Sequence, residues 1–266
     1  MFCTARVLKL SICCAALMLA LTPRESAAGA PIPTTRTVTG SNSANASSWL
    51  GGAHAGYNWH QGAVVFGFET DIQGTNLNSP MVGGLNYTPP GPPPPPDFAS
   101  TQALIEWYGT FRGRVGATIG SFLLYATAGV AYGNVGLNST FSAFGLTTHS
   151  QTLQTKVGGV VGAGFEYIVM PNVMLTFAYQ FVDLGKINIA SSASGTLGCC
   201  VSSLSQSATA HAQFQVAMVG LSWRFAPDGS PSPWAGGYAG GHVGGAWGNN
   251  ASATYNGRST RQIIID

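Results

Sequence analysis

Between residues 62 and 74 the chain alternates with a period of two. Val64, Phe66, Phe68, Thr70 and Ile72 fall on one face of an extended backbone, and Gly67, Glu69, Asp71 and Gln73 on the other. Successive side chains of a strand point to opposite faces, so this segment is a strand with an apolar face and a charged one. The pattern recurs. Residues 105–119 set Trp107, Phe111, Val115 and Ile119 against Tyr108, Thr110, Arg112 and Arg114. Residues 155–168 set Val157, Val161, Ala163, Phe165 and Tyr167 against Glu166, and 173–183 set Leu175, Phe177, Tyr179 and Phe181 against Thr176, Ala178 and Gln180. Residues 213–225 set Val219, Leu221, Trp223 and Phe225 against Met218, Ser222 and Arg224. A helical period would mix bulky apolar and polar residues on every face.

Charge decides which face is inside. Only 8% of the residues are charged, against roughly 25% in a soluble domain. No apolar run beyond the N-terminus reaches the roughly 18 residues of a spanning helix; the run Val157 to Met170 is broken by Glu166 and four glycines. Aromatic residues at 11% argue against a disordered low-complexity chain. The pattern left is that of a transmembrane β-barrel, apolar outward to lipid and polar or small inward. A net charge of +2 with no basic cluster gives nothing for nucleic acid to bind.

Connections also alternate. Short ones fall at His60-Gln61-Gly62, Gly120-Ser121 and Met170-Pro171-Asn172, and long loops are expected at 75–102, 135–154 and 186–209. Such barrels have short periplasmic turns and longer extracellular loops, so the three long loops are expected outside, open to host or envelope partners. The first carries Pro89-Pro90 and the run Pro92 to Pro96, a tract that cannot pair in a sheet and reads as a stiff exposed spacer.

The N-terminus reads as an export signal over 1–28. Arg6 and Lys9 precede the apolar stretch Leu10 to Leu21, and Ser26-Ala27-Ala28 supplies small residues for cleavage. Three of the five cysteines lie in that leader; the remaining pair, Cys199-Cys200, is no disulfide framework.

A run of segments in consistent order then carries a likeness: Ala55-Gly56-Tyr57-Asn58-Trp59, Phe66 to Gly74, Gly109-Thr110-Phe111-Arg112-Gly113-Arg114-Val115-Gly116, Tyr125 to Asn134, Gly162-Ala163-Gly164-Phe165-Glu166-Tyr167, Val182-Asp183-Leu184-Gly185 and Val219 to Phe225. Over about 49–225 the chain resembles the small outer-membrane barrels of alphaproteobacteria, the porin-family or outer-membrane immunogenic proteins. The resemblance implies an all-β fold, an eight-stranded antiparallel transmembrane barrel in the outer membrane, and no enzymatic activity. Family members open with a strand reading roughly Trp-x-Gly-x-Tyr-x-Gly-Gly. Here that pattern stands at the far end, Trp234-Ala235-Gly236-Gly237-Tyr238-Ala239-Gly240-Gly241, after a linker at 226–233. The first and last strands of a closed barrel are neighbours, and an unpaired edge in hydrocarbon costs several kcal/mol per backbone group. The expectation is a circularly permuted barrel over 49–248, its usual first strand supplied by 234–248. Residues 29–48 and 249–266 are then expected as extracellular segments at the two ends; a truncated duplicate of the first strand is the rival.

Parity places Glu69, Asp71, Arg112, Arg114, Glu166 and Arg224 in the lumen, where they are expected to form an ion network. An eight-stranded barrel is just wide enough for side chains to fill, so a plug is expected over a narrow pore for ions or small solutes. His54 and His242 also face inward, on strands expected to be neighbours, and could approach each other; two histidines without a third ligand make weak evidence for a metal, and lone lumen histidines are the expectation. His149-Ser150 and His211 show no carboxylate beside them in sequence, and adjacency is not a catalytic triad. The glycines of Gly236 to Gly245 do not follow a strand and open a helix, as a phosphate loop requires. No catalytic residue, cofactor or metal is expected. The expected partners are outer-membrane lipid, lipopolysaccharide and the barrel assembly machinery.

Overall fold

The computed structural model describes residues 34–83, 86–88, 98–143, 146–197, 200–225 and 232–263. The export signal at 1–28, both proline tracts, Cys199 and most of the 226–233 linker lie outside these residues, and of Cys200 only its place at the start of a strand is described. The described residues form nine strands: β1 (Thr34–Gln61), β2 (Val64–Gly83), β3 (Asn86–Thr88), β4 (Phe98–Ile119), β5 (Phe122–Ala143), β6 (Leu146–Met170), β7 (Val173–Leu197), β8 (Cys200–Phe225) and β9 (Gly236–Ile263). Eight of them close a ring in the order β1-β2-β4-β5-β6-β7-β8-β9, every pairing antiparallel. β3 adds only a short rung to β1.

The ring closes through the C-terminal strand. Arg224 and Phe225 on β8 face Tyr238 and Gly237 on β9, and on β9's other side Ala55 faces Ala239 and Gly51 faces Val243. Backbone groups in hydrocarbon must pair within the protein, and β9 supplies partners to two edges that would otherwise be bare. The turns β1–β2, β4–β5 and β6–β7 are as short as the sequence predicts. Gly62, Gly120 and Asn172 take positive φ there (67, 61 and 68°), a conformation that glycine and asparagine tolerate.

The expected long loops differ most from what the structure shows. β2 runs to Gly83 and β4 starts at Phe98; β5 and β6 nearly meet, at Ala143 and Leu146, as do β7 and β8, at Leu197 and Cys200. The described residues of 135–154 and 186–209, and much of 75–102, are thus strand. Likewise 34–48 lies in β1 rather than in a separate N-terminal segment, and 249–263 continues β9 rather than forming a tail. In 34–48 and 249–263 the residues are mostly small and polar, with little apolar alternation to mark a strand; antiparallel pairing with a neighbour holds them extended.

A boundary crosses the barrel about eleven residues from the turns, the length a tilted strand needs to span a bilayer. Five register breaks lie near that level, Gly74/Leu77, Ile105/Trp107, Asp183/Lys186, Thr209/Gln215 and Ala44/Ala46, and a sixth, Ile168/Met170, lies beside the β6–β7 turn. On the turn side the outward face is apolar, with Phe66, Ile72, Phe111, Val115, Leu124, Val161, Phe165, Leu221 and Trp223 exposed. On the hairpin side the pattern inverts. Leu77, Ile105, Val135, Leu137, Ile187, Ile189 and Phe214 are buried between strands, while Thr147, His149, Gln151, Lys186, Asn188 and Ser192 are exposed. Bulges bend a strand and change which side chains point inward: on β4 the buried positions are 114, 112, 110 and 108, then 105 and 101.

Candidate functional site

The centre of the spanning section is a charged layer. β2 and β4 pair Glu69 directly with Arg112 and Gly67 with Arg114, so alternation alone aims two carboxylates and two guanidinium groups into one lumen. Arg112 Nη2 donates to Glu69 Oε1 at 2.5 Å and to Asp71 Oδ2 at 2.6 Å. Arg114 donates to Glu69 Oε2 at 3.2 Å, to Glu166 Oε1 at 2.9 Å and to the Tyr238 hydroxyl at 2.7 Å. The Tyr238 hydroxyl donates in turn to Glu69 Oε2 at 2.7 Å, and the Arg114 guanidinium lies 4.1 Å from the centroid of the Tyr125 ring. Gln180, with its amide oxygen turned to Arg112, accepts from Nη1 at 2.7 Å. The five charged residues are between 1 and 6% exposed. Such a layer is tolerated because each guanidinium meets two carboxylates in charge-assisted, shared bonds.

Arg224 does not join them. It sits at the turn end, donating to Asn172 Oδ1 at 2.8 Å and to the carbonyls of Ser232 and Ala235, both at 3.2 Å. Its parity is inward as expected, but it lies one residue from the end of β8, too low to reach the carboxylates, and it fastens the return of the chain from β8 to β9 instead.

The two lumen histidines, expected as lone residues on neighbouring strands, meet. His54 Nδ1 and His242 Nδ1 lie 3.2 Å apart with the rings stacked. His54 Nε2 meets Ser222 Oγ at 2.7 Å, His242 Nε2 meets Gln73 Oε1 at 2.8 Å, and Gln73 Nε2 donates to Asp71 Oδ1 at 3.1 Å. An ionised carboxylate only accepts, so for a neutral pair every proton is placed. Gln73 gives an amide proton to Asp71 and accepts from His242 Nε2; His242 Nδ1 accepts from His54, and His54 Nε2 accepts from Ser222. Among the described residues no group of three or more His, Cys, Asp or Glu is arranged to hold a metal. His149 pairs with Thr140 on the exposed hairpin, at 3.1 Å. His211, which lacks an acidic neighbour in sequence, meets Asp183 Oδ1 across the strands at 3.2 Å.

Tyr125, Tyr238, Gln180 and Ser222 complete the layer and were not singled out from the sequence as network members. Alternation already sets Gln180 and Ser222 on the polar faces of β7 and β8, whereas for Tyr125 and Tyr238 parity speaks only once β5 and β9 are placed. Trp234 is a further one. It precedes β9 in a turn, is 2% exposed, and packs with Val65, Leu123 and Met174 beneath the charged layer. The void left within the layer is about 10 Å³, roughly what a single water centre requires.

Residues 7–225 match the family model described as the outer membrane protein β-barrel domain. The chain belongs to this family. The match ends where β8 ends, so the closing strand β9 lies beyond it. As a member of that family the protein is an outer-membrane β-barrel, sited in the cell outer membrane. Its relatives include the 31 kDa outer-membrane immunogenic protein of Brucella melitensis biotype 1, 34% identical over 154 residues that make up 57% of this chain and 60% of the relative. The 22 kDa outer membrane protein of Rhizobium leguminosarum bv. viciae is 33% identical over 135 residues, 50% of this chain and 51% of the relative. The chain thus spans between about half and three-fifths of the length of these curated relatives.

Proposed function

We propose that this family member is a sealed, non-enzymatic surface protein: it anchors in the outer membrane and presents its long hairpins to the outside. The observation that carries the reading is the charged layer. A section filled by Arg112, Arg114, Glu69, Asp71, Glu166, Tyr125 and Tyr238, with room for about one water, supports a lumen closed to solutes. Short turns at one end and long hairpins at the other give the orientation, hairpins extracellular. The word immunogenic in the names of Brucella relatives supports exposure of that end. The Ser222–His54 contact does not make an active site, because Ser222 is 2% exposed and faces the packed lumen. Lipopolysaccharide and outer-membrane lipid surround the belt, the barrel assembly machinery inserts it, and host or envelope partners meet the hairpins. β9 stands in for the family's first strand, a circular permutation; support comes from a family match that ends at Phe225 and a strand beyond it that pairs with both β8 and β1.

Single-channel recording in planar bilayers tests the sealed reading. No open steps are expected from the wild-type protein at neutral pH. Reproducible ion-conducting steps would make it a narrow channel instead.

A further inference from the structure

Pairing around the ring is not continuous above the boundary. The β6–β7 ladder stops at Gly159–Asp183, yet β6 runs on to Leu146 and β7 to Leu197. Over that length β6 is held by β5 alone, through Ala143–Leu146, and β7 by β8 alone, through Leu197–Cys200. The β1–β2 ladder stops likewise at Leu50–Thr75. Two seams therefore divide the hairpin end into two sheets, β2-β4-β5-β6 and β7-β8-β9-β1, with Leu77, Ile105 and Val135 facing Ala46, Ile187 and Ala210 across a small apolar space of about 30 Å³. The two seams are treated differently. At the β1–β2 seam, the chain lays three residues of its own, Asn86–Thr88, against the free edge of β1 at Thr37–Thr39. At the β6–β7 seam, no strand of the described residues covers either edge.

An exposed edge is a row of free N–H and C=O groups that templates another strand, and proteins normally blunt it with proline, charge or a bulge. These two edges have no proline. The only bulge is at their base, where Leu184 and Gly185 fall between the Asp183 and Lys186 pairs. Three residues beyond the last rung on each strand stand Lys156 and Lys186, and neither has an ion-pair partner among the described residues. Asp183 at the same base is already engaged by His211 and Gln213. Buried Val160, Val182, Ile187 and Ile189 line the inner side.

We propose that the β6–β7 seam is a strand-acceptor site, which takes an extended segment of a partner polypeptide by backbone pairing to Leu146–Gly158 or Leu184–Leu197. The segment that fits alternates apolar residues, directed to the inner side with Val160, Ile187 and Ile189, with acidic or small polar ones on the outer face, where Lys186 is exposed; Lys156 shares the inward parity of Val160. Main-chain pairing gives such recognition its affinity and the alternate side chains its selectivity. The chain's own β3, added to β1, is the same device used once already. The proposal rests on the surface-interaction reading above and supplies its mode.

Hydrogen exchange of the full chain, folded in detergent micelles, tests it. The probes are three ten-residue peptides: valine alternating with glutamate and threonine, the same with lysine for glutamate, and the same with proline in place of each threonine. The glutamate peptide is expected to slow exchange at least tenfold, saturably, within 147–158 or 185–197, leaving 213–225 unchanged. The lysine peptide protects less and the proline peptide not at all. The charge-reversed variant K186E, checked for folding by its heat-shifted gel mobility, should prefer the lysine peptide. The proposal is overturned by absence of protection at both edges, by equal protection from the proline peptide, or by protection from lipopolysaccharide vesicles alone. Unprotected edges in a non-conducting barrel would remove this inference only; conducting steps would remove the sealed reading and leave the edges untouched.

Discussion

Replacing Arg114 by methionine isolates what the charged layer contributes. The guanidinium stands between Glu69 and Glu166, at 3.2 and 2.9 Å, and the Arg114 and Glu166 side chains are each 1% exposed. With Arg114 gone, Glu69 keeps Arg112 at 2.5 Å. Glu166 keeps no cation, and its Oε2 already lacks a hydrogen-bond partner. Removing one member of a buried pair costs about 3–5 kcal/mol, whereas neutralising both with groups of similar volume is often near neutral. Arg114→Met should therefore destabilise the folded barrel by about 3–5 kcal/mol. Adding Glu166→Gln should return about 2–3 kcal/mol, the coupling expected of contacting residues. Urea unfolding in micelles, followed by the heat-shifted electrophoretic band, measures both, as a shift of the midpoint at constant slope. A loss below about 1 kcal/mol for the single variant, or strict additivity in the double, would refute the view that these charges are buried and mutually dependent.

Three further outcomes follow from the same packing. Trp234→Ala removes the apolar closure beneath the layer and should cost about 3–5 kcal/mol in the same unfolding assay; a neutral result would place the indole in solvent. Gly164→Val should destabilise by about 1–3 kcal/mol, because a Cβ there would meet the Phe177 carbonyl oxygen of β7 and lie 2.6 Å from the Tyr125 hydroxyl oxygen, displacing the ring that supports Arg114. The volume-sparing Gly164→Ala, with less to accommodate, should cost less than the valine. Deleting 234–266 bares the edges of β8 and β1 within hydrocarbon, and the shortened chain should give no heat-modifiable, protease-resistant band; a stable band would contradict closure by β9 and the permutation built on it.

The spanning half of the barrel was legible in the sequence because the bilayer enforces a strict two-residue alternation there. Phe66 against Glu69, Phe111 against Arg112 and Phe165 against Glu166 all lie on the faces that parity assigns. The hairpin half was not. Stretches such as Ser191 to Gly195 carry small polar residues on both faces, and only pairing with a neighbour makes them strands. Bulges hide further information, since one extra residue on β4 moves the inward set from Tyr108 to Ile105. Within the site, charge and parity placed Glu69, Asp71, Arg112, Arg114 and Glu166 in the lumen. They could not give height along the barrel, and height separates Arg224 from the others. The meeting of His54 with His242 depends on β1 and β9 being adjacent, a contact across 188 positions that no local pattern encodes.

The central claim is a ring closed by its C-terminal strand, and cross-linking reads it directly. In a background with Cys199 and Cys200 changed to serine, one double variant, A55C/A239C, bridges β1 to β9, and a second, A217C/G245C, bridges β8 to β9; both are directly opposed in register. Opposed Cα atoms of paired strands lie within the span a disulfide bridges. Both pairs should oxidise in the folded protein in outer-membrane preparations, each giving a reducible shift in gel mobility. If the barrel folds and either pair stays reduced, β9 does not close it.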